Sequence, residues 1–96
     1  MRHLELLAPA KNLECGMAAV DHGADAVYIG ASRFGARAAA GNSVADIAEL
    51  CAYAHRFGVK VYVTVNTIVY EDELDDTQRF IWDLHRAGAD AIVVQD

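Results

Sequence analysis

A glycine that ends a helix and opens a buried strand recurs three times in this chain: His-Gly-Ala-Asp-Ala-Val-Tyr-Ile (22–29), Phe-Gly-Val-Lys-Val-Tyr-Val (57–63) and Ala-Gly-Ala-Asp-Ala-Ile-Val-Val (87–94). The glycines are Gly23, Gly58 and Gly88, so the steps of 35 and 30 residues match the length of a βαβ unit. Three crossovers with a strand in front give the order β-α-β-α-β-α-β.

Punctuation and periodicity place the elements. Leu4 to Ala8 is a short apolar run stopped by Pro9, which predicts a first strand, with Glu5 as a charge inside it that is paired rather than catalytic. Asn12 caps a first helix that runs to His22 and ends at Gly23. Ala26 to Ile29 forms the second strand. Ser43 and Asp46 approximate a capping box for a second helix whose Val44, Ile47, Ala48, Cys51 and Ala54 share one face. From Val59 to Asn66 the valines at 59, 61, 63 and 65 alternate with Lys60, Tyr62, Thr64 and Asn66, giving one aliphatic and one increasingly polar face. A third helix begins around Asp72, turns Leu74, Ile81 and Leu84 inward and stops at Gly88, and Ala91 to Gln95 forms a fourth strand.

Right-handed crossovers leave two architectures, an open doubly wound sheet or part of a (β/α) barrel. A complete barrel needs about 250 residues, and this chain has 96, with its last strand running into Gln95 and Asp96. The reading is an α/β chain forming the first half of a truncated TIM-like barrel, residues 1–96 belonging to a single barrel domain whose remainder is absent. Left alone, such a half-barrel is expected to be catalytically inert and to self-associate through its open strand edges.

Hydrophobic residues make up 54% of the chain without any run near the ~18 residues of a membrane span. The N-terminus lacks the apolar core of a signal peptide. Two cysteines, both on predicted helices, provide no disulfide framework, and a cytoplasmic setting follows. Residues 1–70 hold six Lys/Arg and six Asp/Glu, while residues 71–96 hold two and eight, so the net charge of −6 sits in the last quarter. That quarter alone repels nucleic acid.

In a barrel the chemistry sits where strands end and helices begin. His3 precedes the first strand, and His22, His55 and His85 fall late in their helices, where a cation suits the helix dipole, so all four belong to the opposite, stabilising end. Cys51 and His55 stand four apart, but Cys51 is on the core stripe and reads as a small buried hydrophobe. Cys15 lies off the Leu13, Met17, Val20 stripe and is expected to be partly exposed. The acidic group Glu71, Asp72, Glu73, Asp75 and Asp76 marks a helix N-terminus, where negative charge is stabilising, and lacks the pattern of a calcium loop. No metal site is expected in the chain, and no His-Glu-x-x-His, Gly-Lys-Ser/Thr or Cys-x-x-Cys motif occurs.

The functional end carries better candidates. Gly30 to Asn42 is a 13-residue connection, far above the two to six usual for βα loops. Arg33 and Arg37 supply paired donors for a carboxylate or phosphate, and Gly35 permits close backbone approach, so these three are the expected substrate-binding residues. Asn66 lies eight residues after Gly58 and Asp96 eight after Gly88. Equal offsets predict equivalent places at the strand C-termini, making both catalytic candidates, with a helix cap as the alternative role of Asp96.

Five stretches carry a family resemblance: Glu-Leu-Leu-Ala-Pro-Ala (5–10), His-Gly-Ala-Asp-Ala-Val-Tyr-Ile-Gly (22–30), Phe-Gly-Ala-Arg-Ala (34–38), Tyr-Val-Thr-Val-Asn-Thr (62–67) and Val-Gln-Asp (94–96). Together they resemble the N-terminal end of the bacterial collagenase-like peptidases of unknown catalytic type, family thirty-two of class U. Arg37, Asn66 and Asp96 fall within these stretches. Lys11 departs from the glycine usual in the family's Ala-Pro-Ala-Gly-Asn turn. The resemblance implies a barrel-like catalytic domain in a much longer protein, acting either as a peptidase or as an oxygen-independent hydroxylation factor for transfer RNA, ribosomal RNA or a quinone precursor. It implies prephenate as the hydroxyl source for RNA-modifying members, and in several members an iron-sulfur cluster on four cysteines. Those ligands lie beyond residue 96, so no cofactor is expected within this segment. The partners implied for the full-length protein are RNA or an anionic small molecule.

Overall fold

The computed structural model describes residues 5–31, 42–66 and 74–95. They form β1 (Leu7–Ala10), α1 (Leu13–Asp21), β2 (Ala26–Ala31), α2 (Val44–His55), β3 (Lys60–Asn66), α3 (Leu74–Ala87) and β4 (Ala91–Gln95). The strands make one parallel sheet in the order β1-β2-β3-β4.

The helix boundaries follow from their caps. Asn12 Oδ1 accepts from Cys15 N at 2.8 Å and Ser43 Oγ from Asp46 N at 3.1 Å, each satisfying an open amide of the first turn. Gly23, Gly58 and Gly88 have φ of 92°, 72° and 115°. Only glycine adopts such angles without strain, which is why each helix-to-strand passage carries one.

Alternation along the strands divides the sheet into two faces. Val27, Ile29, Val61, Val63 and Val65 are buried against Val20 of α1, Ile47, Leu50, Cys51 and Ala54 of α2, and Phe80 and Leu84 of α3. All three helices thus pack on one face. The other rows hold Leu7, Tyr28 and Val93, exposed by 46%, 40% and 47%. An aliphatic face under helices opposite an uncovered face is what the valine alternation in β3 predicts.

Three details depart from the sequence reading, in β1, β2 and α3. β1 starts at Leu7 and contains Pro9, and Glu5 lies ahead of the strand, exposed. Leu6 O accepts from Ala26 N at 3.2 Å. With a period of two, the even residues of β1 then face β2, so the missing N–H of Pro9 costs no ladder bond. β2 extends two residues past Ile29, to Ala31. In α3 the burial of Leu74 lies outside the described side chains, and from residue 78 on the buried residues before the end of the helix are Leu84, as read from the sequence, and Phe80, with Ile81 only half-buried. Lys11 needs no glycine-like backbone, because no described non-glycine residue has positive φ.

The N-terminal ends of the strands are held by a device repeated in two of the three motifs. Asp25 Oδ2 accepts from Leu6 N at 2.7 Å while Asp25 N donates to Leu6 O at 2.9 Å. Asp90 does the same to Val61, at 2.7 and 2.8 Å. Each aspartate grips one residue, Leu6 just ahead of β1 or Val61 within β3, with both its side chain and its backbone. His55 Nε2 also donates to Asp90 Oδ2 at 2.7 Å, tying the end of α2 to this grip. The Asp of Gly-Ala-Asp is therefore a strand clamp, remote from the strand C-termini.

Candidate functional site

The C-terminal ends of the strands gather Ala10 to Asn12, Gly30 and Ala31, Thr64 to Asn66, and Val93 to Gln95 on one edge of the sheet. On the uncovered face the register aligns Tyr28 with Tyr62 and Ala91, and then Gly30 with Thr64 and Val93. A Cβ at Gly30 would stand 3.5 Å from Thr64 Oγ1, so glycine leaves an opening beside that hydroxyl. This shallow surface of phenol, hydroxyl and small aliphatic groups leads to the strand ends.

Asn42 organises the same end. It is 7% exposed, the one buried polar residue among those described. Its Nδ2 donates to Gly30 O at 2.8 Å and to Lys11 O at 3.2 Å, and its backbone N donates to Gly30 O at 3.1 Å. A bridge between Ala31 and Asn42 closes the foot of the 32–41 connection. One side chain thereby joins the exits of β1 and β2. Sequence reasoning passed over Asn42 as the last residue of a loop. The available signal was an amide directly before a helix cap, at the far side of a connection that must return to the strand end.

Arg33, Gly35 and Arg37 belong to that connection and lie outside the described residues, as does Asp96. Asn66 ends β3, paired in register with Gln95 rather than Asp96. Equal offsets from the glycines do not mean equal heights in the sheet. The aligned residues Tyr28, Tyr62 and Ala91 stand five, four and three places after Gly23, Gly58 and Gly88. The register therefore slips by one residue at each step.

The histidines occupy the other end. His22 Nδ1 donates to Ala18 O at 2.7 Å, His55 pairs with Asp90, and His85 stacks on Trp82 in the last turn of α3. Cys51 is buried, and desolvation, with the Asp90 charge adding to it, pushes its thiol up to about 11. Cys15 is exposed on α1. Cluster ligation needs thiolates brought together. A buried protonated thiol and a separate surface thiol do not fit an iron-sulfur cluster, and no group of three or more metal-ligating side chains occurs among the described residues.

With this geometry in place, comparison with known proteins identifies the lineage. Residues 11–96 match peptidase family U32. The chain belongs to that family. It is 56% identical over 93 residues to the 23S rRNA 5-hydroxycytidine C2501 synthase of Escherichia coli, covering 97% of this chain and 14% of the relative. It is 41% identical over 93 residues to tRNA hydroxylation protein P1 of Bacillus subtilis, covering 96% and 22%. A protein named collagenase from Porphyromonas gingivalis is 35% identical over 97 residues, covering 96% and 23%. The U32 chain described here thus spans less than a quarter of the length of each of these relatives, and the family resemblance read from its motifs holds.

Proposed function

We propose that this U32 chain is part of a (β/α) barrel enzyme that hydroxylates RNA, with 23S ribosomal RNA as substrate. The observation that carries the reading is the 56% identity to the E. coli C2501 synthase, against 35% to the collagenase-named relative. Barrel closure is supported by sequential strand order, by helices on one face only, and by the one-residue slip at the β2–β3 and β3–β4 steps, which equals the average stagger per strand of an eight-stranded barrel with shear 8. A doubly wound sheet reverses its strand order and carries helices on both faces.

In this reading the uncovered Tyr28, Tyr62 and Thr64 row faces the barrel interior, Asn42 holds the foot of the substrate loop, and Arg33 and Arg37 with Gly35 engage an anionic group of the substrate or co-substrate. Asn66 and Asp96 remain the catalytic candidates at the strand ends. Any iron-sulfur cluster is held by cysteines outside this segment. A cytoplasmic setting fits the proposed action on ribosomal RNA, and no described helix is long and apolar enough to cross a membrane. Peptidase activity is the second reading, favoured by the family description and the collagenase-named relative.

The test is a segment exchange. A chimera of the E. coli synthase in which this chain replaces the matching segment is expected to retain 5-hydroxycytidine formation. A soluble chimera that makes none would count against the shared function.

A further inference from the structure

We infer that Gly30 and Thr64 form the subsite for a single pyrimidine base drawn out of the RNA, the base lying flat on the Gly30 backbone with its polar edge at the Thr64 hydroxyl; this rests on the RNA reading above. Among the described glycines all but Gly30 have a reason in the fold. Gly23, Gly58 and Gly88 have positive φ, and at Gly16 a Cβ would stand 2.8 Å from Leu50. The φ of Gly30 is not positive, and a Cβ there would meet only Thr64 Oγ1, at an ordinary contact distance of 3.5 Å. Glycine inside a strand forgoes packing and loses more entropy on folding than alanine. Where neither backbone nor neighbour demands it, its use is to let another group come close to the main chain.

Position and chemistry choose the group. Gly30, Thr64 and Val93 are in register just before Asn66 ends β3, in the layer next to the strand exits where barrel enzymes bind their substrates. The Gly30 carbonyl is fixed there by both Asn42 donors. The Thr64 hydroxyl donates and accepts, so it suits either kind of group on a base edge. Tyr28 and Tyr62 adjoin the opening one layer below, in register with each other and with Ala91. None of these six side chains is charged at neutral pH. The wall therefore suits a neutral ring and offers a phosphate or carboxylate no cation. A peptide would pair with an open strand edge, but β2 is already paired to β1 and β3. An eight-stranded barrel is only wide enough inside for side chains, so the base must leave its stack to enter.

The experiment uses the full-length protein and a hairpin RNA of the 23S sequence around C2501, with 2-aminopurine beside the target cytidine, whose fluorescence rises when its neighbour leaves the stack. Wild type is expected to bind the RNA and raise the signal. Gly30→Ala should melt no lower than wild type, because alanine suits a strand better than glycine. It should still bind the RNA, yet lose the fluorescence rise and form 5-hydroxycytidine at least about ten-fold less well. Thr64→Val keeps the shape, removes the hydroxyl and is expected to cost about ten-fold in turnover, most of which Thr64→Ser recovers. Gly30→Ala protein that melts lower than wild type would show another part of the barrel seated on the glycine and overturns the subsite. Wild-type fluorescence and turnover in stable Gly30→Ala or in Thr64→Val overturns it too. In both cases the RNA reading stands, since wild type binds and modifies the RNA. Wild-type protein that neither binds nor modifies it overturns both.

Discussion

Asn42 and Gly30 are joined twice, by the Asn42 side chain at 2.8 Å and by its backbone at 3.1 Å, both converging on the Gly30 carbonyl. This closes the long connection at its foot and, through Lys11 O, couples it to the exit of β1. Replacing Asn42 by Ala removes the link to Lys11 and is expected to cost about 1–3 kcal/mol. Asn42→Asp should be worse, because a carboxylate would face two carbonyl oxygens and has no proton to give. Denaturant titration of both variants checks the order; equal stabilities would contradict the donor role.

Gly16 is where α1 touches α2. A Cβ there would lie 2.8 Å from both Cδ atoms of Leu50, which is fully buried, so the Leu50 side chain or the helix must shift within the core. Gly16→Ala gains about 1 kcal/mol in helix propensity and loses about 1–3 kcal/mol to overpacking. Net destabilisation is expected, and Leu50→Ala in the same chain should make the alanine harmless. A double-mutant cycle measures this coupling, and additive single effects would rule out the contact as the cause.

Asp90 makes folding sensitive to acid. Partial burial pushes its carboxyl up, but the Val61 N–H, His55 and Lys60 together outweigh that and hold it below the ordinary carboxylate value. A group with its pKa depressed by folding contributes stability above its unfolded value of about 3.9 and loses it as pH falls through the lower folded value. The expected result is a steeper loss of stability below about pH 4 in wild type than in Asp90→Asn, which keeps an acceptor for Val61 N. Identical acid limbs would show that the grip does not depend on charge.

The substrate-binding role proposed for the 32–41 connection rests on its length and on Arg33 and Arg37. Arg37→Ala in the full-length protein is expected to abolish most turnover, at least about ten-fold for a lost charge-assisted pair, while circular dichroism stays unchanged. Turnover equal to wild type would remove the connection from the site.

Much of the fold could be read from the chain because its signals are local. A cap such as Asn12 or Ser43 and a positive-φ glycine such as Gly23 are fixed by chemistry within a few residues. What escaped depends on neighbours distant in sequence. Pro9 belongs to β1 because of which row of backbone groups faces β2. The height of Asn66 relative to Gln95 is set by strand stagger, which no count from a glycine reveals. Asp25 and Asp90 occupy the most recognisable motif in the chain, yet their function as clamps on Leu6 and Val61 appears only once the strands are paired. At the site, Asn42 is visible only through contacts spanning 12 and 31 residues.

The most direct measurement is complementation. The full-length protein is expressed in E. coli lacking its C2501 synthase, and nucleosides from purified 23S ribosomal RNA are analysed by mass spectrometry. The account predicts that 5-hydroxycytidine returns. Soluble full-length protein with no 5-hydroxycytidine in that RNA, together with cleavage of a collagen-type peptide by the same preparation, would contradict it.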